Sequence, residues 1–176
     1  MRSESTREDW TISVDAETKA SERPGDHEAE LRLWLRMLTC TSLIEGEIRT
    51  RLRKRFDITL PRFDLMAQLE KAPDGLTLGE VSRRMMVSNG NVTGLVERLV
   101  AEGLVERRAS PKDRRATYVR LTDEGRAVFS GMARAHGDWM AELFDGLDPE
   151  EIGSLMELLA KTKSSVQRAT METDQR

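Results

Sequence analysis

The residues of this chain best suited to chemistry are polar rather than nucleophilic. The run Ser88-Asn89-Gly90-Asn91-Val92-Thr93-Gly94 holds two amides, two hydroxyls and two glycines, and further along Lys112-Asp113-Arg114-Arg115 sets three cations around one carboxylate. Asn presents a paired donor and acceptor that match the exposed edge of adenine. Lys and Arg neutralise phosphates, and Arg is drawn into a narrow minor groove. That chemistry is recognition of DNA, not bond-making. The bond-making sets are missing: His136 and Asp138 lie two apart and do not face each other on a helix, and no nucleophile stands beside a base. His27, His136 and Cys40 are scattered without metal-ligand spacing. The sequence therefore predicts no enzyme, no metal and no cofactor.

Charge is segregated around the same residues. Between positions 75 and 121 there are nine cations and five anions, so this segment is +4 within a chain of net charge −3 and the remainder is −7. A basic centre in an acidic chain is an electrostatic footprint of nucleic-acid binding, although chance clustering of surface charge gives the same sum. Hydrophobic residues make up 38% and charged residues 34%, which is polar for a globular chain and points to a floppy segment or to a core completed by a partner. No apolar run approaches the roughly 18 residues that span a bilayer. Glu4, Glu8 and Asp9 open the chain without an apolar stretch, so it reads as lacking a secretory signal. A single cysteine forms no intrachain disulfide, and a reduced, cytoplasmic protein is expected.

The elements that must position these groups follow from spacing. Residues 1–26 are polar and broken by Pro24-Gly25, and read as a disordered tail. A long helix is predicted from about Asp26 to Phe56, with Leu31, Leu33, Trp34, Leu35, Met37 and Leu38 apolar on nearly every side, so that it must be covered on several faces. Thr59, Leu60 and Pro61 open a second helix whose apolar side is Phe63, Met66, Ala67 and Leu69. Thr77 and Glu80 form a capping box for a short helix that stops near Met86-Val87, and Ser88 caps the next one, which Gly103 ends. Two short runs, 104–108 and 116–121, flank the cationic tip as a β-hairpin with Val119 and Leu121 on its buried face. Thr122 caps a helix to about Asp145, and Asp148-Pro149-Glu150-Glu151 opens the last.

Short helix, tight turn, second helix and hairpin make a winged helix-turn-helix, whose second helix enters the major groove. At 100° per residue, Val92, Leu95, Val96 and Leu99 of that helix share a core direction, and Gly90, Gly94 and Glu97 lie opposite. Two glycines on the outermost line form either a side-chain-free ridge that lets the backbone approach DNA or tolerated surface positions. On the first reading Asn89, Asn91 and Thr93 reach bases or phosphates.

From Ile58 to Gly125 the sequence resembles the MarR family of bacterial transcription regulators. The resemblance is carried by Gly75-Leu76-Thr77, Glu80-Val81-Ser82, Val87-Ser88, Asn91-Val92-Thr93, Leu95-Val96-Glu97-Arg98-Leu99, Glu102-Gly103-Leu104-Val105, Pro111-Lys112-Asp113-Arg114-Arg115 and Val119-Arg120-Leu121-Thr122. It implies a mainly α fold. Residues 58–121 would be the winged helix-turn-helix, and 27–57 with 122–172 would be helices that interlock in a homodimer. Each subunit would read half of a near-palindromic operator. Arg115 matches the family's wing-tip arginine, and Asp113 matches the wing acid that braces nearby arginines, with Arg98 a fitting partner. Two departures stand out: Gly94 replaces a residue that is often basic, and Met86 replaces a turn residue that is often glycine, which predicts an altered or strained turn.

Relatives typically release DNA on binding a small aromatic acid. Trp34, Met37, Leu38, Phe63 and Met66 are candidate pocket residues, although a stripe of this kind also serves as core. Pro61-Arg62-Phe63-Asp64-Leu65-Met66 together with Gly90–Gly94 is similar to a subgroup that controls hydroxycinnamate catabolism and in part responds to aromatic acyl-CoA thioesters. Arg49, Arg51, Arg53 and Arg55 then meet CoA phosphates or, alternatively, form a solvated helix end. Cys40 reads as a buried structural cysteine, with redox sensing as the alternative. A non-catalytic protein-interaction module on the same fold is the rival to DNA binding.

Overall fold

The computed structural model describes residues 27–109 and 117–173. The expected tail over 1–26 and the wing-tip residues Lys112, Asp113, Arg114 and Arg115 lie outside the described residues. The chain divides into two compact units, residues 1–136 and 137–176.

In the first unit, helix α1 (Glu28–Phe56) ends where Asp57 turns left-handed at φ 52°, with Arg53, Lys54 and Arg55 in its last turn against the negative end of the helix dipole. Helix α2 (Leu60–Glu70) has Pro61 in its first turn, and Thr59 precedes it in extended geometry without a side-chain cap bond. Strand β1 (Leu76–Thr77) leads into helix α3 (Leu78–Met85). The capping box is complete: the Glu80 N–H donates to the Thr77 hydroxyl at 3.2 Å, and the Thr77 N–H donates to the Glu80 carboxylate at 2.7 Å. Helix α4 (Asn89–Ala101) follows, then strands β2 (Val105–Ala109) and β3 (Thr117–Leu121). The sheet runs β1-β3-β2, all antiparallel, with Leu76 opposite Val119 and Val105 opposite Leu121.

Strand β1 was not expected from the sequence. Two residues carry no alternation, and only the pairing to β3 makes them a strand. The same pairing explains Gly75, whose φ is 95° and where a Cβ would lie 3.0 Å from the Val119 carbonyl oxygen. Helix α5 (Asp123–Leu143) begins where the Thr122 hydroxyl accepts the Gly125 N–H at 2.9 Å. A Cβ on Gly125 would sit 1.9 Å from the Leu104 carbonyl oxygen, so the backbone of α5 can meet the residue that leads into β2 this closely only at a glycine.

The core of this unit joins Ile48 and Leu52 of α1, Phe63, Leu65, Met66 and Leu69 of α2, Val81 of α3, Val92, Val96 and Leu99 of α4, Val105, Val119 and Leu121 of the hairpin, and Phe129 and Met132 of α5. Each such side chain contributes roughly 1.5–3 kcal/mol by leaving water, so α4 is held through one face while its other face stays free.

The first half of α1 departs from expectation. Leu31, Leu33, Trp34, Leu38 and Leu43 are each at least two-fifths exposed, and Cys40 is exposed as well, which corrects the reading of a buried structural cysteine. The apolar neighbours of Cys40 in sequence do not bury it in space, since its side chain is exposed. The second unit holds the end of α5 and helix α6 (Pro149–Thr173). The Asp148 carboxylate accepts the Glu150 and Glu151 N–H groups at 2.8 Å, while Glu151 takes the Asp148 N–H at 2.9 Å. Ile152, Leu155, Met156, Leu158, Leu159 and Val166 of α6 are exposed. No described helix is long and apolar enough to cross a membrane.

Candidate nucleic-acid interface

The turn between α3 and α4 is fixed by three hydrogen bonds converging on Ser82. Its carbonyl accepts the Met86 N–H and, at 3.2 Å, the Val87 N–H, and its hydroxyl donates to the Val87 carbonyl at 2.5 Å. Met86 closes the helix in the left-handed region, φ 56° and ψ 37°, with its side chain 92% exposed. The strained turn expected from a non-glycine residue here is present. Ser88, in extended geometry, caps α4 by accepting the Asn91 N–H at 3.4 Å.

Because Val92, Val96 and Leu99 are buried, the rotation of α4 is set, and it brings the predicted recognition residues outward. Ser88, Asn89, Gly90, Asn91 and Arg98 are exposed, and Thr93 and Gly94 are half-buried. A Cβ added at Gly90 or Gly94 would meet nothing within 4 Å, so both glycines face open space. The Thr93 hydroxyl donates back to the Asn89 carbonyl at 2.9 Å and keeps its acceptor lone pairs. The exposed N-terminal turn adds the positive end of a helix dipole, which suits phosphate.

Charged pairs on the wing were missed from sequence. Glu106 accepts from Arg120 at 2.6 Å and from Arg108 at 3.0 Å, and Glu97 faces Arg107 at 3.9 Å. The Arg120 hydrogen bond, with Arg108 beside it, holds the Glu106 carboxyl below the usual carboxylate range. Two signals pointed there: residues two apart share a strand face, and the hairpin register sets Glu106 opposite Arg120. Glu80 is likewise held low, first by the Thr77 backbone N–H and then by its hydroxyl.

The predicted ligand residues are not gathered in one chain. Phe63 and Met66 are core, the Phe63 ring lying 5.5 Å from Phe129 and 5.0 Å from His136. Trp34 and Leu38 are exposed, Met37 is half-buried, and Arg49 and Arg53 face solvent near Glu45 and Asp57 at 3.8 and 3.7 Å. Asp64, which sequence reasoning passed over, has its carboxyl raised above the ordinary range by partial loss of its water and then by Glu45, with His136 opposing.

A short helix, a fixed turn, a second helix with one bare polar face, and a basic antiparallel hairpin define a winged helix-turn-helix DNA-binding protein. Residues 56–116 match the MarR family model. The fold superimposes on a MarR family transcriptional regulator from Silicibacter pomeroyi at a TM-score of 0.70 and 33% identity, covering 82% of this chain and 99% of that one. It superimposes on a mutant MarR from E. coli in complex with operator DNA at a TM-score of 0.68 and 26% identity, covering 79% and 99%. A helix-turn-helix transcriptional regulator of Bacillus subtilis, YkoM, is 34% identical over 84 residues, 48% of this chain, which spans about half (54%) of that relative's length. The chain belongs to the MarR family: it is a DNA-binding transcription regulator and not an enzyme.

Proposed function

We propose that the protein is a homodimeric repressor. Each winged helix-turn-helix, residues 58–121, reads one half of a pseudo-palindromic operator, and residues 27–57 and 122–172 form the dimer. The observation that carries the DNA reading is the outward face of α4. Asn89 and Asn91 flank a ridge without Cβ atoms at Gly90 and Gly94, and the buried face fixes the helix so that this ridge points away from the core. In this arrangement Asn91 contacts a base edge, while Ser88, Asn89, Thr93 and Arg98 position the helix on phosphates. Lys112, Arg114 and Arg115 of the wing follow the adjacent minor groove, with Asp113 bracing the arginines.

The dimer reading is supported by the exposed apolar side chains of α1 and α6, among them Leu31, Leu33, Leu38, Leu155, Leu158 and Leu159. The effector class is a small aromatic acid or its CoA thioester, with Trp34, Met37 and Leu38 offered toward a pocket that a second subunit completes, and with the solvent-facing Arg49 and Arg53 meeting phosphates.

The test is selection of bound duplexes from random DNA by the full chain, followed by affinity measurement of Arg115→Ala and Asn91→Ala. Arg115→Ala is expected to weaken all sites alike, and Asn91→Ala to relax preference at one position as well. A weak, salt-governed affinity that neither change alters would favour a protein-interaction module instead. Hydroxycinnamoyl-CoA that neither binds nor releases the selected operator would remove the effector class.

A further inference from the structure

The β2-β3 hairpin carries its charges on two faces, because successive residues of a strand point to opposite sides. Val105, Val119 and Leu121 are buried on the inner side, where Arg107 lies 3.9 Å from Glu97 of α4. Glu106, Arg108 and Arg120 stand on the outer side, turned away from α4. There the Nε groups of Arg108 and Arg120 both donate to one oxygen of Glu106, at 3.0 and 2.6 Å. Thr122, Asp123 and Arg126 line the hollow beside them, and Arg126 pairs with Glu70 at 3.1 Å. Three arginines and three carboxylates thus meet on the outer side, and their charges cancel. Arg83, Arg84 and Arg98 differ: these exposed cations of α3 and α4 form no ion pair with a described residue.

We propose that Glu106 is a specificity-determining residue: by masking Arg108 and Arg120 it keeps the outer face of the hairpin from becoming a second phosphate-binding surface. An exposed guanidinium binds any phosphate it can reach, and such contacts carry affinity without sequence information. With α4 in a groove, the outer face points away from that duplex, so unmasked arginines there add little at the operator. They add affinity for any duplex lying along the flank of the hairpin. Discrimination is a difference of two affinities, and weakening the unwanted one raises it. Glu106 touches no DNA in this scheme and acts through the two arginines. The inference rests on α4 as the recognition helix, whereas the masking itself is independent of it.

The experiment is fluorescence anisotropy of the full chain on its selected operator and on a shuffled duplex of equal length and composition, each over a series of salt concentrations. In Glu106→Gln the affinity for the shuffled duplex is expected to rise about tenfold at about 50 mM salt. Its slope of log K against log salt is expected to steepen by about one, the mark of one further phosphate contact. Operator affinity is expected to stay within about twofold, so the ratio of the two falls about tenfold. In the background Arg108→Gln with Arg120→Gln, the same change at Glu106 is expected to leave the shuffled-duplex slope where it was. Glu106→Thr, which suits a strand, repeats the reading where Glu106→Gln fails to fold. An unchanged slope on the shuffled duplex, equal tightening on both duplexes, or a gain that persists without the two arginines overturns the proposal; the last outcome means that net charge alone is at work. A wild-type chain that binds both duplexes alike overturns the recognition reading and this proposal together. Wild-type discrimination that Glu106→Gln leaves intact overturns this proposal alone.

Discussion

Gly94→Ala separates the stability of α4 from its use. Gly94 lies in the middle of α4 (Asn89–Ala101), and a Cβ there would meet no atom within 4 Å. No steric penalty therefore offsets the propensity term, and alanine in place of glycine in a helix interior is worth about 0.8–1 kcal/mol. For a chain of this size a gain of 1 kcal/mol raises Tm by roughly 2–4 °C. Thermal melts of the two proteins at equal concentration read that shift. Fluorescence anisotropy on a selected operator, over a series of salt concentrations, reads the other half. If the bare ridge lets the backbone approach DNA, the more stable variant binds its operator more weakly, and the loss survives at high salt because it is steric rather than electrostatic. A raised Tm with unchanged or tighter binding refutes the ridge. An unraised Tm refutes the placement of Gly94 on an open helix face.

Met86→Gly is expected to stabilise the fold by up to about 1 kcal/mol in urea melts, because the left-handed backbone at φ 56° favours glycine and the 92%-exposed side chain surrenders no buried area. Thr77→Ala removes the hydroxyl half of the capping box and is expected to cost about 1 kcal/mol in the same assay. The Glu80 carboxyl is depressed in the fold, so its contribution is present above the unfolded carboxylate value near 4.3 and is lost as pH falls through the folded value. Glu80→Gln is expected to flatten stability against pH in that acidic window and nowhere else. Asp64 has the opposite sign: its raised carboxyl favours the protonated form, so Asp64→Asn is expected to cost nothing or to stabilise slightly at neutral pH, with the gain fading as pH falls through the raised folded value and gone below the unfolded value of about 3.9 in a melt series. Leu155→Glu on the exposed face of α6 is expected to shift the chain toward monomer in sedimentation equilibrium, and an unchanged mass would count against that face as the dimer contact.

The helices of the first unit were readable because capping and periodicity agree there. Thr77 with Glu80, Ser88, Thr122 and Asp148 each mark a start, and Val92, Val96 and Leu99 mark the buried side of α4. The face that carries recognition was readable for the same reason, since what is not core on a helix held by one face must be surface. What sequence alone left hidden depends on partners far along the chain. Strand β1 exists only through β3, and Arg62 meets Glu102 across 40 positions. Cys40 misled because apolar neighbours in sequence imply burial only where another element supplies the cover.

The same division bears on how such a regulator changes its target. In α4 the buried set, Val92, Val96 and Leu99, packs into the core of the unit, while Asn89, Asn91 and Arg98 are exposed. Surface substitutions of this kind usually move stability by less than about 0.5 kcal/mol. Base contacts, by contrast, discriminate by about 1–3 kcal/mol each. Recognition residues on α4 can therefore be exchanged at almost no cost to folding, whereas any change that rotates the helix must first break its buried face. Exchanging Asn89, Asn91 and Arg98 alone, with both glycines and Val92, Val96 and Leu99 retained, should redirect DNA preference while leaving the melting temperature nearly fixed. Selection of bound duplexes by such a variant, beside its melt, measures both.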